Sequence, residues 1–258
     1  MVNEMDFITV KYISKKPKLN NPLLIEGLPG IGNVGKLAVE HLIDNIKAVK
    51  FADLYSEDFP PQVFINTDGT IELVKNEFYY WFAKNRKQRD LILLTGDYQA
   101  LSSHGQYELV EKILDIVEEF GVKEIFTLGG YGLGHEIREP KVLCATTDEH
   151  LVKTMKKYGA IFRRNEPGGG IVGASGLLLG LGKLRGLQGT CFMGETPGYL
   201  VDPKSAKALL TILIKILNVE INLSALEKKA KEIEYIAHQL KEMESLSKEK
   251  SEELKYIG

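Results

Sequence analysis

Apolar runs of strand length alternate along this chain with longer segments whose apolar residues recur every three or four positions. The short runs are typical of buried strands, and the longer ones are typical of amphipathic helices. Their alternation is the pattern of a sheet that carries helices on its faces. The sequence therefore predicts an α/β protein with a largely parallel sheet.

The residue pattern gives approximate bounds for each element. A hairpin is predicted at Asp68-Gly69, because glycine there accepts a positive φ, and this makes the sheet mixed. The predicted strands are Phe7–Ile13, Leu23–Glu26, Phe51–Tyr55, Val63–Asn66, Ile71–Lys75, Phe78–Ala83, Leu91–Thr95, Glu124–Leu128, Val142–Thr146 and Gly189–Met193. The predicted helices are Asn33–Ile46, Ser102–Phe120, Asp148–Tyr158, Gly173–Lys183 and Pro203–Leu217.

Composition limits the classes of function. Hydrophobic residues make up 44% of the 258, enough for a packed core. The formal charge of −2 provides no field that would attract nucleic acid or an anionic membrane, so neither is expected as a partner. Cys144 and Cys191 lie in apolar runs, as cysteines do in a reducing compartment. No secretory signal and no apolar run near the roughly 20 residues of a membrane span is visible, so we expect a cytoplasmic protein.

The chain divides by composition into a core, residues 1–220, and a charged C-terminal helix, residues 221–258. In this helix lysine and glutamate surround a narrow apolar seam, formed by Leu226, Ala230, Ile233, Ala237 and Leu240. The chain ends in an apolar tip on a polar stalk, formed by Leu254, Lys255, Tyr256, Ile257 and Gly258. Such a tip gains free energy by burial in another protein, so these five residues are predicted to bind a partner. A frayed terminus without a partner is the alternative.

A glycine-rich turn follows the second predicted strand and contains Gly27, Gly30, Gly32, Gly35 and Lys36. Its spacing fits the dinucleotide fingerprint, for which Asp53 or Glu57 would bind the ribose. It also fits a P-loop, although Leu37 replaces the serine or threonine that holds magnesium. The alternative is a structural turn in which glycines permit close packing.

Polar residues also follow other predicted strands. These residues could assemble a hydrolase or phosphorylase pocket, and they are Asp97, His135, Glu136 and Glu195. Ser175 lies in an incomplete nucleophile elbow, because Leu177 replaces the final glycine, so it is expected to be buried or to start a helix. The histidines are scattered, and no metal site is predicted.

The order of these motifs resembles the proteasome assembly chaperone 2 family, in its archaeal branch. Three stretches carry the resemblance: Gly27–Lys36, Gly129–Pro140 and, most specifically, Gly168–Asp202. Together they span the core from about Leu23 to Leu217.

This resemblance implies a three-layer α/β/α domain of the phosphorylase/hydrolase type, homo-oligomeric, with no cofactor and no established catalysis. The implied partners are the α-subunits of the proteasome core particle, and the implied assembly is a tetramer or a pentamer. Proteasome activators dock a C-terminal tail of the form hydrophobic-Tyr-any residue. Here Tyr256 is third from the end rather than second, so the motif is displaced by one position.

Two functions remain after the sequence analysis. The first is a binding protein that acts on the proteasome as an ATP-independent activator or assembly factor. The second is a small-molecule or nucleotide-binding enzyme that uses the glycine-rich turn.

Overall fold

The computed structural model describes residues 7–162, 169–233, 235, 236 and 239. Within these residues every predicted strand and helix is present. The strands are β1 Ile8–Tyr12, β2 Leu23–Glu26, β3 Val49–Ser56, β4 Val63–Ile65, β5 Ile71–Leu73, β6 Asn76–Trp81, β7 Leu91–Gly96, β8 Glu124–Gly132, β9 Val142–Thr146 and β10 Gln188–Thr196. The helices are α1 Val34–Ile46, α2 Ser103–Glu119, α3 Glu149–Lys156, α4 Ala174–Leu184 and α5 Pro203–Leu217, with a short 3-10 turn at Ile31–Asn33.

An eight-stranded mixed sheet forms the centre, in the order β1-β3-β6-β7-β2-β8-β10-β9. The four strands from β7 to β10 in this order are parallel to one another. Antiparallel pairs extend the sheet at both ends. The prediction of a mixed α/β sheet is confirmed, and its parallel strands lie in the centre.

Two helical layers cover the sheet. Along the central strand β2, Leu23 and Ile25 pack with α1 and α5, whereas Leu24 packs with α2 and α4 on the opposite face. This alternation follows from the two-residue period of a strand, and it makes β2 apolar on both faces. The implied three-layer α/β/α architecture is confirmed.

Side-chain hydrogen bonds cap the first turns of two helices. The side chain of Asp202 accepts a hydrogen bond from the Ser205 amide at 2.9 Å, with Pro203 as the first residue of α5. Ser102 caps α2 in the same way by accepting from the Gly105 amide at 3.0 Å. These bonds satisfy amides that the helix itself leaves without a partner.

The hairpin at Asp68-Gly69 forms, but as a sheet of its own. Strands β4 and β5 pair only with each other and lie outside the eight-stranded sheet. The expectation that they belong to the main sheet is therefore wrong. Both strands are short, with three residues each, and all six residues are exposed.

The C-terminal segment begins as a helix that is attached to the core. Residues 224–233 are helical, and Leu226 is buried with the residues of α1 and α5. Lys207 of α5 forms an ion pair of 2.7 Å with Glu227. Of the predicted seam, Ala237 and Leu240 lie outside the described residues. The division of the chain at residue 220 remains a prediction.

Candidate functional site

Packing explains two glycines of the turn between β2 and α1. A Cβ atom on Gly27 would lie under 3.0 Å from the carbonyl oxygen of Gly35. A Cβ on Gly35 would come equally close to the carbonyl oxygen of Leu128 in β8. Because both obstacles are backbone atoms, a side chain at either position would push α1 away from the sheet.

The other two glycines of the turn differ from each other. Gly32 has a φ of +62°, a conformation that L side chains rarely adopt. Its carbonyl oxygen accepts a hydrogen bond of 2.8 Å from the amide of Asp202, so the loop after β10 packs against the turn. Gly30 is extended and faces open space, and neither strain nor packing requires glycine there.

Lys36 is engaged at the end of β7. Its ammonium donates to the carbonyl oxygen of Gly96 at 2.7 Å and lies 3.4 Å from Glu40 and 4.0 Å from Asp97. In a P-loop the corresponding lysine is directed at a phosphate. The structure therefore favours the structural turn over the P-loop.

The sheet order separates the expected ribose-binding acids from the turn. Asp53 lies on β3, and both β6 and β7 lie between β3 and β2. Three strand spacings amount to about 14 Å. Asp53 instead forms an ion pair of 2.6 Å with Lys50, and Glu57 lines a different cleft. The strand order therefore does not support the dinucleotide interpretation of the turn.

A cleft of about 560 Å³ lies beyond the carboxyl ends of β2, β8 and β10. In open α/β sheets this is the edge at which ligands bind. Its wall includes Gly30 and Gly35 from the turn and Ser175 from α4. Glycines of β8 form much of its floor, namely Gly129, Gly130 and Gly132.

A buried carboxyl group lies behind this cleft. Glu26 is fully buried, and its two carboxyl oxygens accept hydrogen bonds from the Leu28 amide at 2.9 Å and from the Ser175 hydroxyl at 2.8 Å. Burial raises the pKa of Glu26 to about 7, and the two hydrogen bonds oppose this shift. The sequence analysis treated Glu26 only as the last residue of a strand. An acid that ends an apolar run before a glycine turn was the available signal.

Ser175 lies where the sequence placed it. It is in the first turn of α4 and half-buried, as expected for a residue that starts a helix. Because its hydroxyl donates to Glu26, the lone pairs of Oγ remain available to accept a hydrogen bond.

Two glutamines close the cleft on the side of α2. Gln99 donates to the carbonyl oxygen of Pro29 at 2.7 Å and accepts from the amide of Ala174 at 2.9 Å, which ties the turn to α4. Gln106 donates to the carbonyl oxygen of Ala100 at 2.7 Å, while its buried Oε1 has no hydrogen-bond partner among the described residues. Ser175 Oγ is thus the acceptor that the cleft offers to a group that carries N–H or O–H, since Gln106 Oε1 is buried.

The polar residues after the other strands do not join this cleft. Asp97 accepts from the amide of Lys75 at 3.0 Å, and Glu195 is buried and accepts from the amide of Lys141 at 3.1 Å. His135 is exposed and lies 3.0 Å from the carbonyl oxygen of Leu133. None of Asp97, His135, Glu136 and Glu195 lines this cleft.

The described residues contain no cluster of histidine, cysteine, aspartate and glutamate that could hold a metal ion. Cys191 lines the cleft floor, and burial raises the pKa of its thiol to about 12, so the reactive thiolate is rare near neutral pH. None of the helices in the described ranges combines the length and the hydrophobicity needed to cross a bilayer.

The predicted partner-binding tip lies outside the described residues. This applies to Leu254, Lys255, Tyr256, Ile257 and Gly258. Their role remains a prediction.

Comparisons with known proteins match nearly the whole chain. The model of the PAC2 family matches residues 24–241. The protein MJ1210 of Methanocaldococcus jannaschii is 48% identical over 260 residues, which cover 96% of this chain and 98% of the relative.

Solved structures also match nearly the whole chain. The crystal structure of Pyrococcus furiosus PbaB, an archaeal proteasome activator, superposes with a TM-score of 0.88 at 47% identity and covers 92% of this chain and 100% of that one. Pyrococcus furiosus PbaA, an archaeal homologue of proteasome-assembly chaperone, has a TM-score of 0.74 at 25% identity, with 94% and 96% covered.

Proposed function

Since the chain belongs to the PAC2 family, we propose that it is a non-enzymatic, homo-oligomeric protein that binds the α-ring of the proteasome core particle through its C-terminal tails. It acts there as an ATP-independent activator, an assembly factor or both. The proposal rests on the similarity to PbaB, the archaeal proteasome activator, at 47% identity over the full length of that chain. The match to PbaA is weaker at 25% identity, which favours activation over assembly.

The proposed mechanism uses several weak contacts at once. One tail, with Leu254, Tyr256 and Ile257 as its apolar residues, buries little area and binds weakly after the cost of association. When one oligomer displays several tails, the binding of the first tail raises the effective concentration of the others at the ring. The avidity then exceeds the affinity of a single tail by a factor of about 10² to 10⁴ when the spacing of the tails matches the ring.

The contacts at the glycine-rich turn support a binding role over catalysis. Lys36 holds the end of β7, and Asp97 and Glu195 accept hydrogen bonds from backbone amides. These side chains stabilise loops of the fold, and the residues that a nucleotide enzyme would need there have structural partners.

Deletion of residues 254–258 tests the tail mechanism. We expect the full-length chain to stimulate peptide hydrolysis by archaeal core particles without ATP and to co-sediment with them, and the truncated chain to lose both. Lys228→Ala, an exposed change in the same C-terminal segment, is the control that should keep both. Unchanged binding by the truncated chain would contradict the tail mechanism.

A second candidate function is the binding of a small molecule in the cleft of about 560 Å³ that Ser175 lines. The observation that favours it is the acceptor Ser175 Oγ, which lines a cleft at the carboxyl edge of the sheet. Titration calorimetry with ATP, NAD and AMP tests the nucleotide version of this idea. Heat that disappears in Ser175→Ala would support it, and no heat with any of the three would exclude it.

A further inference from the structure

The hairpin of β4 and β5 has one face made entirely of aliphatic side chains. Its register pairs Val63 with Leu73 and Ile65 with Ile71, so these four residues share a face. The exposed fractions are 41% for Val63, 58% for Leu73, 78% for Ile65 and 68% for Ile71. The opposite face carries the pair of Phe64 and Glu72. In β5 the charged Glu72 separates two aliphatic residues, as in a strand that buries one face, whereas β4 is apolar throughout.

No part of the described chain buries that face. A two-stranded hairpin alone is only marginally stable in water, and an apolar surface of this kind usually marks an interface. The turn of the hairpin is nevertheless well defined. The amide of Asn66 donates to the carbonyl oxygen of Thr70 at 2.8 Å, and the amide of Thr70 donates to the Asp68 carboxylate at 2.9 Å. The hairpin therefore has a defined conformation, and its aliphatic face has no partner within the described residues.

A cleft of about 440 Å³ lies at the base of the same hairpin. Its walls include Phe59, Pro60 and Pro61, together with Val63 and Leu73 from the hairpin. The most exposed aliphatic side chains are thus at the tip of the hairpin, and an apolar hollow is at its base. The two lie about 7 Å apart, the length of two strand residues.

We propose that the occupant of this face is the hairpin of a second copy of the chain, packed face to face about a twofold axis. The inference rests on the proposed homo-oligomer and identifies one of its interfaces. When this axis runs across the strands, it places the tip of each hairpin over the base of the other. Ile65 and Ile71 of one copy then enter the hollow beside Pro60 and Pro61 of its partner, and the exchange is reciprocal.

Charge and area both fit a second copy. The four aliphatic side chains carry no charge, so this face can meet its own image without repulsion; the base cleft also includes the exposed Glu57, which would face the aliphatic tip of the partner. The four side chains alone cover less than the roughly 800 Å² that each partner contributes to a stable interface, so the base cleft must take part, as reciprocal insertion requires. The aliphatic face is exposed to water whenever the chain is folded, so its burial requires a partner that is present at all times. Another copy of the chain meets that requirement. Permanent homodimer interfaces are accordingly the more apolar ones.

The inference bears on the number of subunits. A twofold interface is isologous and joins copies in pairs. A closed assembly in which every hairpin is paired therefore has an even number of chains. This favours four subunits over five.

Two matched variants of the full-length chain test the interface by mass measurement in solution. Phe64 and Ile65 are adjacent on β4 and point to opposite faces. We expect Ile65→Lys to halve the mass of the oligomer and Phe64→Lys to leave it unchanged, since a lysine at residue 64 faces Glu72. Circular dichroism should show that both variants fold.

Cross-linking between copies gives a second measurement. Chains with Ile65→Cys are mixed with longer, tagged chains with Pro61→Cys. Within one chain these positions are about 13 Å apart, too far for a disulfide, so any bond joins two copies. We expect a disulfide-linked species of summed mass, and none when Phe64→Cys replaces Ile65→Cys. The native cysteines, Cys144 and Cys191, are buried.

Each other outcome identifies a different occupant or overturns the pairing. If deletion of residues 254–258 changes the number of subunits and Ile65→Lys does not, the tail rather than the hairpin joins the copies and the pairing is wrong. If Ile65→Lys keeps its mass but loses proteasome stimulation, the face binds the proteasome and the pairing is again wrong. If Ile65→Lys halves the mass while the tail deletion leaves stimulation intact, the interface stands and the proposed tail mechanism fails.

Discussion

The hydroxyl of Ser175 donates a hydrogen bond of 2.8 Å to the carboxyl group of Glu26, which lies 149 residues earlier in the chain. The bond joins the first turn of α4 to the end of β2, at the centre of the sheet. Glu26 is fully buried and has one other hydrogen bond, from the Leu28 amide. A carboxyl group in such a place makes the stability of the fold depend on pH.

Glu26→Gln should remove the part of that dependence that Glu26 contributes. Because burial raises the pKa of Glu26 from 4.5 to about 7, folding favours the protonated form. The stabilisation is complete below pH 4.5 and is lost as the pH rises through 7. At pH 8 the wild-type chain therefore carries a cost on the order of 3 kcal/mol that the glutamine variant avoids.

Urea unfolding of both proteins between pH 4 and pH 8 measures this difference. The free energies of unfolding should be similar at pH 4, and the variant should be the more stable at pH 8. Equal slopes against pH for the two proteins would contradict the assignment to Glu26.

Gly35→Ala and Gly30→Ala form a matched pair within one turn. The new Cβ of Gly35→Ala would collide with the backbone of Leu128, so the variant should lose about 2 kcal/mol of stability or more. The Cβ of Gly30→Ala meets nothing within 4 Å, and its φ of −164° suits any residue, so its stability should change by less than about 0.5 kcal/mol. Thermal or urea unfolding separates the two. A costly Gly30→Ala would show that the turn is strained in a way that these contacts do not reveal.

The sequence predicted where each strand and helix lies along the chain, but not which strands lie next to one another in the sheet. The hydrophobic period is a local signal, and it located α2 and α5, whose first turns Ser102 and Asp202 cap. The order of strands depends on contacts between distant segments. The position of Asp53, three strands away from the turn, could not be obtained from its spacing along the chain.

The site shows the same limit. The glycines of the turn were recognised, but their regular spacing fits a nucleotide loop and a packing turn equally well. Only the contact of Gly35 with Leu128 and the bond from Lys36 to Gly96 decide between them. Glu26 was missed because its burial depends on α4, which arrives from far along the chain.

Leu226→Asp should loosen the start of the C-terminal helix without unfolding the core. Leu226 is 2% exposed and packs with α1 and α5, and it lies at the edge of that cluster, near the beginning of the segment 224–233. A buried aspartate there has no cationic partner in the apolar cluster, so the helix should detach from the core. Limited proteolysis should then cut near residues 224–233 at least 10-fold faster, while the thermal unfolding of the core shifts little. Tyr235→Ala, at a position 67% exposed, is the control that should leave cleavage unchanged. The same variant also tests whether the core sets the spacing of the tails. If it does, Leu226→Asp should weaken proteasome stimulation. The loss should be smaller than on deletion of residues 254–258, because the tail residues remain. Full stimulation by Leu226→Asp, alongside rapid cleavage, would show that the attachment of this helix does not position the tails.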